Sequence, residues 1–195
     1  MNIAGLKSNK GNSISDLYVM EPQVLSDSRG YFYESWNRGE FNKLIGHKIN
    51  FLQDNHSISI KGVLRGIHYQ LNPMAQGKLI RCSHGEIFDV AIDLRKGSKT
   101  FGEWASIILN EKNKKQYWIP EGFAHGFLTL SDNAEVLYKA TNFWNKDLER
   151  TLNWNDEELA IDWPIKSINY DYPLLSGKDK NGISFEEAIN NSELF

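Results

Sequence analysis

The sequence predicts an all-β protein, an antiparallel jelly-roll barrel with a few short flanking helices. Three observations predict it. Period-two alternation of apolar residues dominates the middle of the chain, most plainly in Glu86 to Leu94. The aromatic share is high for the length, with 6 Trp, 8 Tyr and 10 Phe, residues that suit pleated surfaces and flat ligand walls. Finally, the strand-like runs follow one another closely with polar turns between them and no helical pattern interposed, which argues against βαβ units. A chain of 195 residues fits one domain, residues 1–195, and can bury roughly 70% of its unfolded surface.

Taken in order, Met1 to Asp16 is rich in Ser, Asn and Lys and lacks the apolar centre of a secretory signal, so the start of the chain reads as irregular. Asp27-Ser28-Arg29-Gly30 reads as a turn; a guanidinium placed there would suit phosphate oxygens. Arg38 to Ile45 forms a helix closed by Gly46 just past its end. Gln53, Asp54 and Asn55 make a polar cluster after Phe51 and Leu52, fit for a turn or for holding a ligand, and spacing does not choose between them. Strands are expected at Ser57–Ile60, Leu64–Leu71, Lys78–Ser83, Glu86–Leu94, Trp104–Leu109, Gln116–Ile119, Gly126–Leu130 and Glu135–Phe143. Turns separate them at His84-Gly85, Lys96-Gly97-Ser98, Asn110 to Lys114 and Ser131-Asp132-Asn133. Ser184 to Asn190 is a second helix, with Ser184 and Glu187 at capping-box spacing.

Composition narrows the function classes. A net charge of -3 gives no electrostatic reason to expect nucleic acid or an anionic membrane as a partner, and no run approaches the 18 or so apolar residues of a bilayer span. The single cysteine, Cys82, cannot close an intramolecular disulfide, which fits a reducing cytoplasm. It stands in the strand-like run Leu79-Ile80-Arg81-Cys82 and reads as a small buried hydrophobe rather than a nucleophile.

The chemistry concentrates in two segments, Val63 to Gln70 around His68 and Pro120 to Gly126 around His125. Each histidine sits among Gly and apolar residues, where an unpaired imidazole would be costly to bury. Lys78 and Tyr138 stand in apolar strands nearby. Two imidazoles, a phenol and an ammonium suit proton movement next to a carbonyl. Metal-binding jelly rolls of the cupin type are the alternative, but the second histidine position of their motif is Gln70 here and the glutamate position falls at Met74 or Ala75. No metal or cofactor is implied. In an unbroken strand Arg65 and His68 would face opposite ways, so Gly66 is a candidate bulge that re-aims one of them.

Together these stretches resemble the dTDP-4-dehydrorhamnose 3,5-epimerase family. The matching motifs are Asp27 to Gly30 with Phe32 and Glu34, Phe51 to Ser57, Val63 to Gln70, Gln76 to Leu79, Phe88 to Val90, Ile119 to Phe127, Tyr138 to Thr141, Trp154 to Asp156 and Ser176 to Asp179, in family order over most of the chain. The resemblance implies a cofactor-independent isomerase, usually a homodimer, that inverts C3 and C5 of dTDP-4-dehydro-6-deoxy-D-glucose to give dTDP-4-dehydro-L-rhamnose. It also implies His68 as base, Asp179 as its carboxylate partner, Tyr138 as the acid on the opposite ring face and Lys78 as the cation beside the enolate oxygen. His125 becomes a further polar residue of the site. Arg29, Gln53, Asn55 and Arg65 would hold the nucleotide and diphosphate, with Glu34 near the base. The chain departs from the family pattern at Leu25, where an aromatic is common, and at Phe143-Trp144, where tyrosines are frequent.

Overall fold

The computed structural model describes residues 1–195. Its strands are β1 (Asn2–Lys7), β2 (Ser13–Glu21), β3 (Leu25–Asp27), β4 (Gly30–Phe32), β5 (Gln53–Ile60), β6 (Leu64–Gln70), β7 (Lys78–His84), β8 (Glu86–Asp93), β9 (Trp104–Asn110), β10 (Gln116–Ile119), β11 (Phe123–Thr129), β12 (Asn133–Ala140) and β13 (Glu149–Thr151). Three short helices complete it: α1 (Arg38–Ile45), α2 (Gly177–Lys180) and α3 (Phe185–Asn190). Two antiparallel sheets face each other, one ordered β1-β2-β10-β7-β12-β5 and the other β13-β6-β11-β8-β9. The β3-β4 hairpin pairs only with itself.

Alternation along the strands divides the core into three layers. Between the sheets lie Ile80, Cys82, Ile87, Ala91, Tyr117, Phe123, Phe127 and Val136. Behind the five-stranded sheet, Val90, Ile92 and Leu94 pack with Tyr69 and Leu128 against Trp163, Ile168 and Phe185 of the C-terminal segment. On the outside of the six-stranded sheet, Phe41 of α1 packs on Leu79 and Trp118. The β8 pattern is thus buried on both sides: its Asp89 and Asp93 point into the barrel and are wholly buried. Cys82 is buried as expected, and burial pushes its thiol up to about 12.

Both expected helices form at the expected residues. Gly46 closes α1 at φ 84, and the Ser184 side chain accepts from the Glu187 backbone N–H at the start of α3. The N-terminus corrects the sequence reading, because it forms β1 and β2 at the edge of the six-stranded sheet. Gly5 pairs with Tyr18 but Lys7 with Ser13, so a wide bulge interrupts β2, and Asp16 there takes φ 68. The bulge spaces Ile14 and Leu17, both buried, by three residues rather than two, which hides the strand period. No helix is long and apolar enough to cross a membrane.

Candidate active site

One cavity of about 400 Å³ opens between the two sheets and gathers most of the residues singled out from sequence. From the five-stranded sheet come Arg65 and His68 on β6 and His125 on β11; from the six-stranded sheet come Asn55 on β5, Lys78 on β7 and Tyr138 on β12. His68 and Tyr138 therefore approach the same space from opposing walls.

Gly66 makes this possible. In the β6–β11 pairing, His68 stands opposite His125 and Arg65 opposite Phe127, so Gly66 and Ile67 together face the single residue Gly126. That extra residue restores parity, and Arg65 and His68 both turn into the barrel. Gly66 has φ 133, and a Cβ there would lie 2.5 Å from the Gly126 Cα, so only glycine fits.

His68 Nε2 lies 2.6 Å from Asp179 Oδ1. Facing a carboxylate, that nitrogen carries the hydrogen, which leaves the Nδ1 lone pair without a protein partner. Burial lowers the His68 pKa below the usual imidazole value, and the opposing Asp179 offsets this only in part, so the ring is neutral at pH 7. Asp179 is itself fixed by Ser176, whose hydroxyl caps α2, accepts from the Asp179 N–H at 3.2 Å and donates to Oδ2 at 2.7 Å. Burial would raise this carboxyl, but the bonds from His68 and Ser176 hold it below the ordinary range.

Lys78 is partly buried in the cavity wall, and desolvation brings its ammonium down to about 8 although Glu149 and Asp89 oppose that shift. Its Nζ donates weakly to the His68 carbonyl at 3.5 Å. Tyr138 moves the other way: burial raises the phenol, with Arg65 opposing, so it keeps its proton across the neutral range. His125 places Nε2 3.0 and 3.1 Å from the two oxygens of Asp89. Arg65 donates to Ser59 Oγ at 2.9 Å and to the Ile58 carbonyl at 3.1 Å.

Three expected residues fall elsewhere. Arg29 sits at the tip of the β3–β4 hairpin, paired with Asp27 at 2.6 Å and highly exposed, in a surface concavity of its own. Glu34 is exposed just beyond that hairpin. Neither joins the cavity within this chain, because the hairpin belongs to neither sheet. Gln53 touches the site at one remove, donating to Asn55 Oδ1 at 2.9 Å. The cavity also includes Trp144, noted from sequence only as a departure from the family pattern, and Glu149 and Lys178, which were given no role there and are paired at 2.9 Å. Lys178 was visible beside Asp179 in the same motif, whereas Glu149 stands in a charged run that reads as solvated surface. Gln70, at the position a metal-binding jelly roll gives to histidine, spends its amide on the carbonyls of Met74 and Phe143 and on the Asn145 N–H.

A neutral imidazole–carboxylate couple, a protonated phenol opposite it and a partly buried ammonium together fit removal of a proton beside a ketone and its return from the other face. The family model for dTDP-4-dehydrorhamnose 3,5-epimerase matches residues 11–187. The chain belongs to this family. A dTDP-4-dehydrorhamnose 3,5-epimerase of Shigella flexneri is 54% identical over 175 residues, covering 90% of this chain and 94% of the relative. One of Pseudomonas aeruginosa is 54% identical over 176 residues with the same coverage. Among solved structures, the dTDP-6-deoxy-D-glucose-3,5-epimerase of Legionella pneumophila, in complex with dTDP-4-keto-L-rhamnose, superposes with a TM-score of 0.88 at 41% identity over 99% of this chain and 97% of its own. A 3'-monoepimerase of Streptomyces bikiniensis in complex with dTDP-quinovose shares the fold more distantly, with a TM-score of 0.84 at 32% identity over 93% of this chain and 90% of its own.

Proposed function

We propose that the cavity inverts C3 and C5 of dTDP-4-dehydro-6-deoxy-D-glucose, with His68 as the base and Tyr138 as the acid. The single observation that carries this reading is the placement of His68 and Tyr138 on opposing sheets around one cavity. Both carbons flank the C4 ketone, so loss of either proton gives an enolate. Nδ1 of His68 takes the proton, and Asp179 steadies the imidazolium that results. The Lys78 ammonium balances charge on the enolate oxygen; removing one such donor commonly costs ~3 kcal/mol of barrier. Tyr138 then delivers a proton to the far face, which inverts the centre.

Arg65 and Asn55 line the cavity and hold the diphosphate and nucleotide, with Gln53 bracing Asn55. Trp144 offers a half-exposed aromatic face for a base. Arg29 reaches a nucleotide only if its hairpin is supplied by a second copy of the chain, which accords with a homodimer. Its absence from this chain's own cavity is then a matter of assembly.

Turnover in D2O followed by NMR tests the reaction: deuterium is expected at both C3 and C5 of the product. Label at one carbon alone would replace the reading with a single-site epimerase. His68→Ala should abolish exchange while leaving dTDP affinity nearly intact, and retained exchange would remove His68 as the base.

A further inference from the structure

We infer that Asp89 is a positioning residue of this site: it orients His125 through Nε2 and supplies a counter-charge that faces Lys78 inside the barrel. The inference rests on the reading of the cavity just given and extends it to a residue that does not line the cavity.

Asp89 is 0% exposed, on the inward face of β8 between Ile87 and Ala91. A carboxylate buried this completely needs partners, and both of its oxygens lie within 3.1 Å of the same imidazole nitrogen. The hydrogen therefore resides on His125 Nε2. The ring's other nitrogen, Nδ1, has no protein partner and belongs to the cavity wall, where it can meet a substrate oxygen. His68–Asp179 and His125–Asp89 are thus two imidazole–carboxylate couples on adjacent strands, since His68 and His125 are direct neighbours in the β6–β11 register.

The groups facing Lys78 come from several elements: Glu149 on β13, Asp89 on β8, Lys178 on α2 and His68 on β6. Glu149, though paired with Lys178, is the larger counter-charge to Lys78, and Asp89, wholly buried and bonded only to a histidine, is the second. The groups facing Asp89 are His125 and Lys78, with the Tyr117 phenol of β10 and the Cys82 thiol of β7 in the packed core around it. Burial raises the Asp89 carboxyl, and His125 first and Lys78 after it oppose the rise. Without Asp89, Lys78 would surrender its proton at a lower pH, and the cation needed at the enolate oxygen would be lost earlier as pH increases.

The test is Asp89→Asn in the full-length enzyme, comparing kcat against pH and dTDP affinity with those of the wild type. The expected result is a fall of about 100-fold in kcat, dTDP affinity within about threefold, and an alkaline limb moved to lower pH by about one unit. An alkaline limb that stays in place overturns the inference whatever happens to kcat. So does loss of dTDP binding together with activity, which marks Asp89 as a structural residue. The pH dependence of Lys78 labelling by trinitrobenzenesulfonate, read by peptide mapping, gives the same answer without turnover: half-labelling should move to lower pH in Asp89→Asn, and an unmoved curve overturns the inference. Wild-type enzyme that failed to exchange substrate protons with solvent would count against the reading of the site itself, and the labelling result stands apart from that outcome.

Discussion

At the scale of single residues, burial assigns opposite protonation states to the site's groups. Desolvation disfavours charge, so it keeps His68 neutral and Tyr138 protonated, and it brings Lys78 to the edge of losing its proton at about 8. These directions set a pH window. As the proposed base, His68 must be unprotonated to act, and its pKa is lowered from 6.5, so the acid limb of kcat should lie below that value. As the proposed cation beside the enolate oxygen, Lys78 must be protonated, so kcat should fall as pH rises through about 8. A kcat profile measured from pH 5 to 10 checks both limbs. Asp179 is the chief influence raising the His68 pKa, so Asp179→Asn should push the acid limb lower still while reducing kcat. An acid limb that moved upward would contradict the couple. Tyr138→Phe separates the two half-reactions: substrate protons should continue to exchange with solvent, because His68 remains, while inversion falls by about 100-fold or more. The chemical types of these residues were legible in the sequence, since a histidine among Gly and apolar neighbours demands a partner. The identity of that partner was not. Asp179 is 111 positions from His68, and only the family resemblance linked them.

At the scale of elements, what is locally encoded was readable and what depends on irregularity was not. The caps of α1 and α3 are set by residues within a few positions of each end, and both helices stand where those residues place them. Helix α2 has four residues, too few for any period, yet it carries Asp179. The bulge in β2 conceals a strand, whereas the bulge in β6 announces itself through Gly66, because a glycine between two polar residues of wrong parity marks where the pleat can break and reset. Gly66→Ala is expected to destabilise by about 2 kcal/mol, from its positive φ and the 2.5 Å approach to Gly126. It should also cut kcat by about 100-fold by displacing Arg65 and His68. Denaturant unfolding with steady-state kinetics tests both. The loop after β8 is held by Asp93, whose two oxygens accept from Arg95, Ser98 and Thr100. Burial alone would raise this carboxyl, but those donors bring it below the usual range. Its folded pKa being depressed, the stability it contributes is present above the unfolded value of about 3.9 and is lost as pH falls through the folded one. Asp93→Ala leaves Arg95 without its main partner and should lower the thermal midpoint at pH 7 by roughly 10 °C.

At the scale of the whole molecule, the barrel is finished on its inner and C-terminal sides but not along one edge. β5 ends the six-stranded sheet, and its outward residues Ile58 and Ile60 are each 62% exposed. The β3–β4 hairpin exposes Leu25, Tyr31 and Phe32 as well. An apolar edge strand left open to water is a liability that proteins cover, and a second copy of the chain is the cover the family resemblance implies. The proposed dimer would account for Arg29, which is a phosphate-reading group by type yet stands on a hairpin outside this chain's cavity. In that proposed dimer Leu25 would bear on nucleotide affinity through the hairpin rather than through the barrel. Two variants separate assembly from chemistry. Ile58→Lys with Ile60→Lys places charges on the open edge without touching the inward face of β5, so if the proposed dimer forms there, light scattering should show a dimeric wild type and a monomeric variant, and dTDP affinity should fall with it. Arg29→Ala should leave the dimer intact and weaken dTDP binding by about tenfold, the loss of one charge-assisted hydrogen bond. If the doubly substituted protein binds dTDP as tightly as the wild type while running as a monomer, the nucleotide site is complete within one chain, and Arg29 has no part in it.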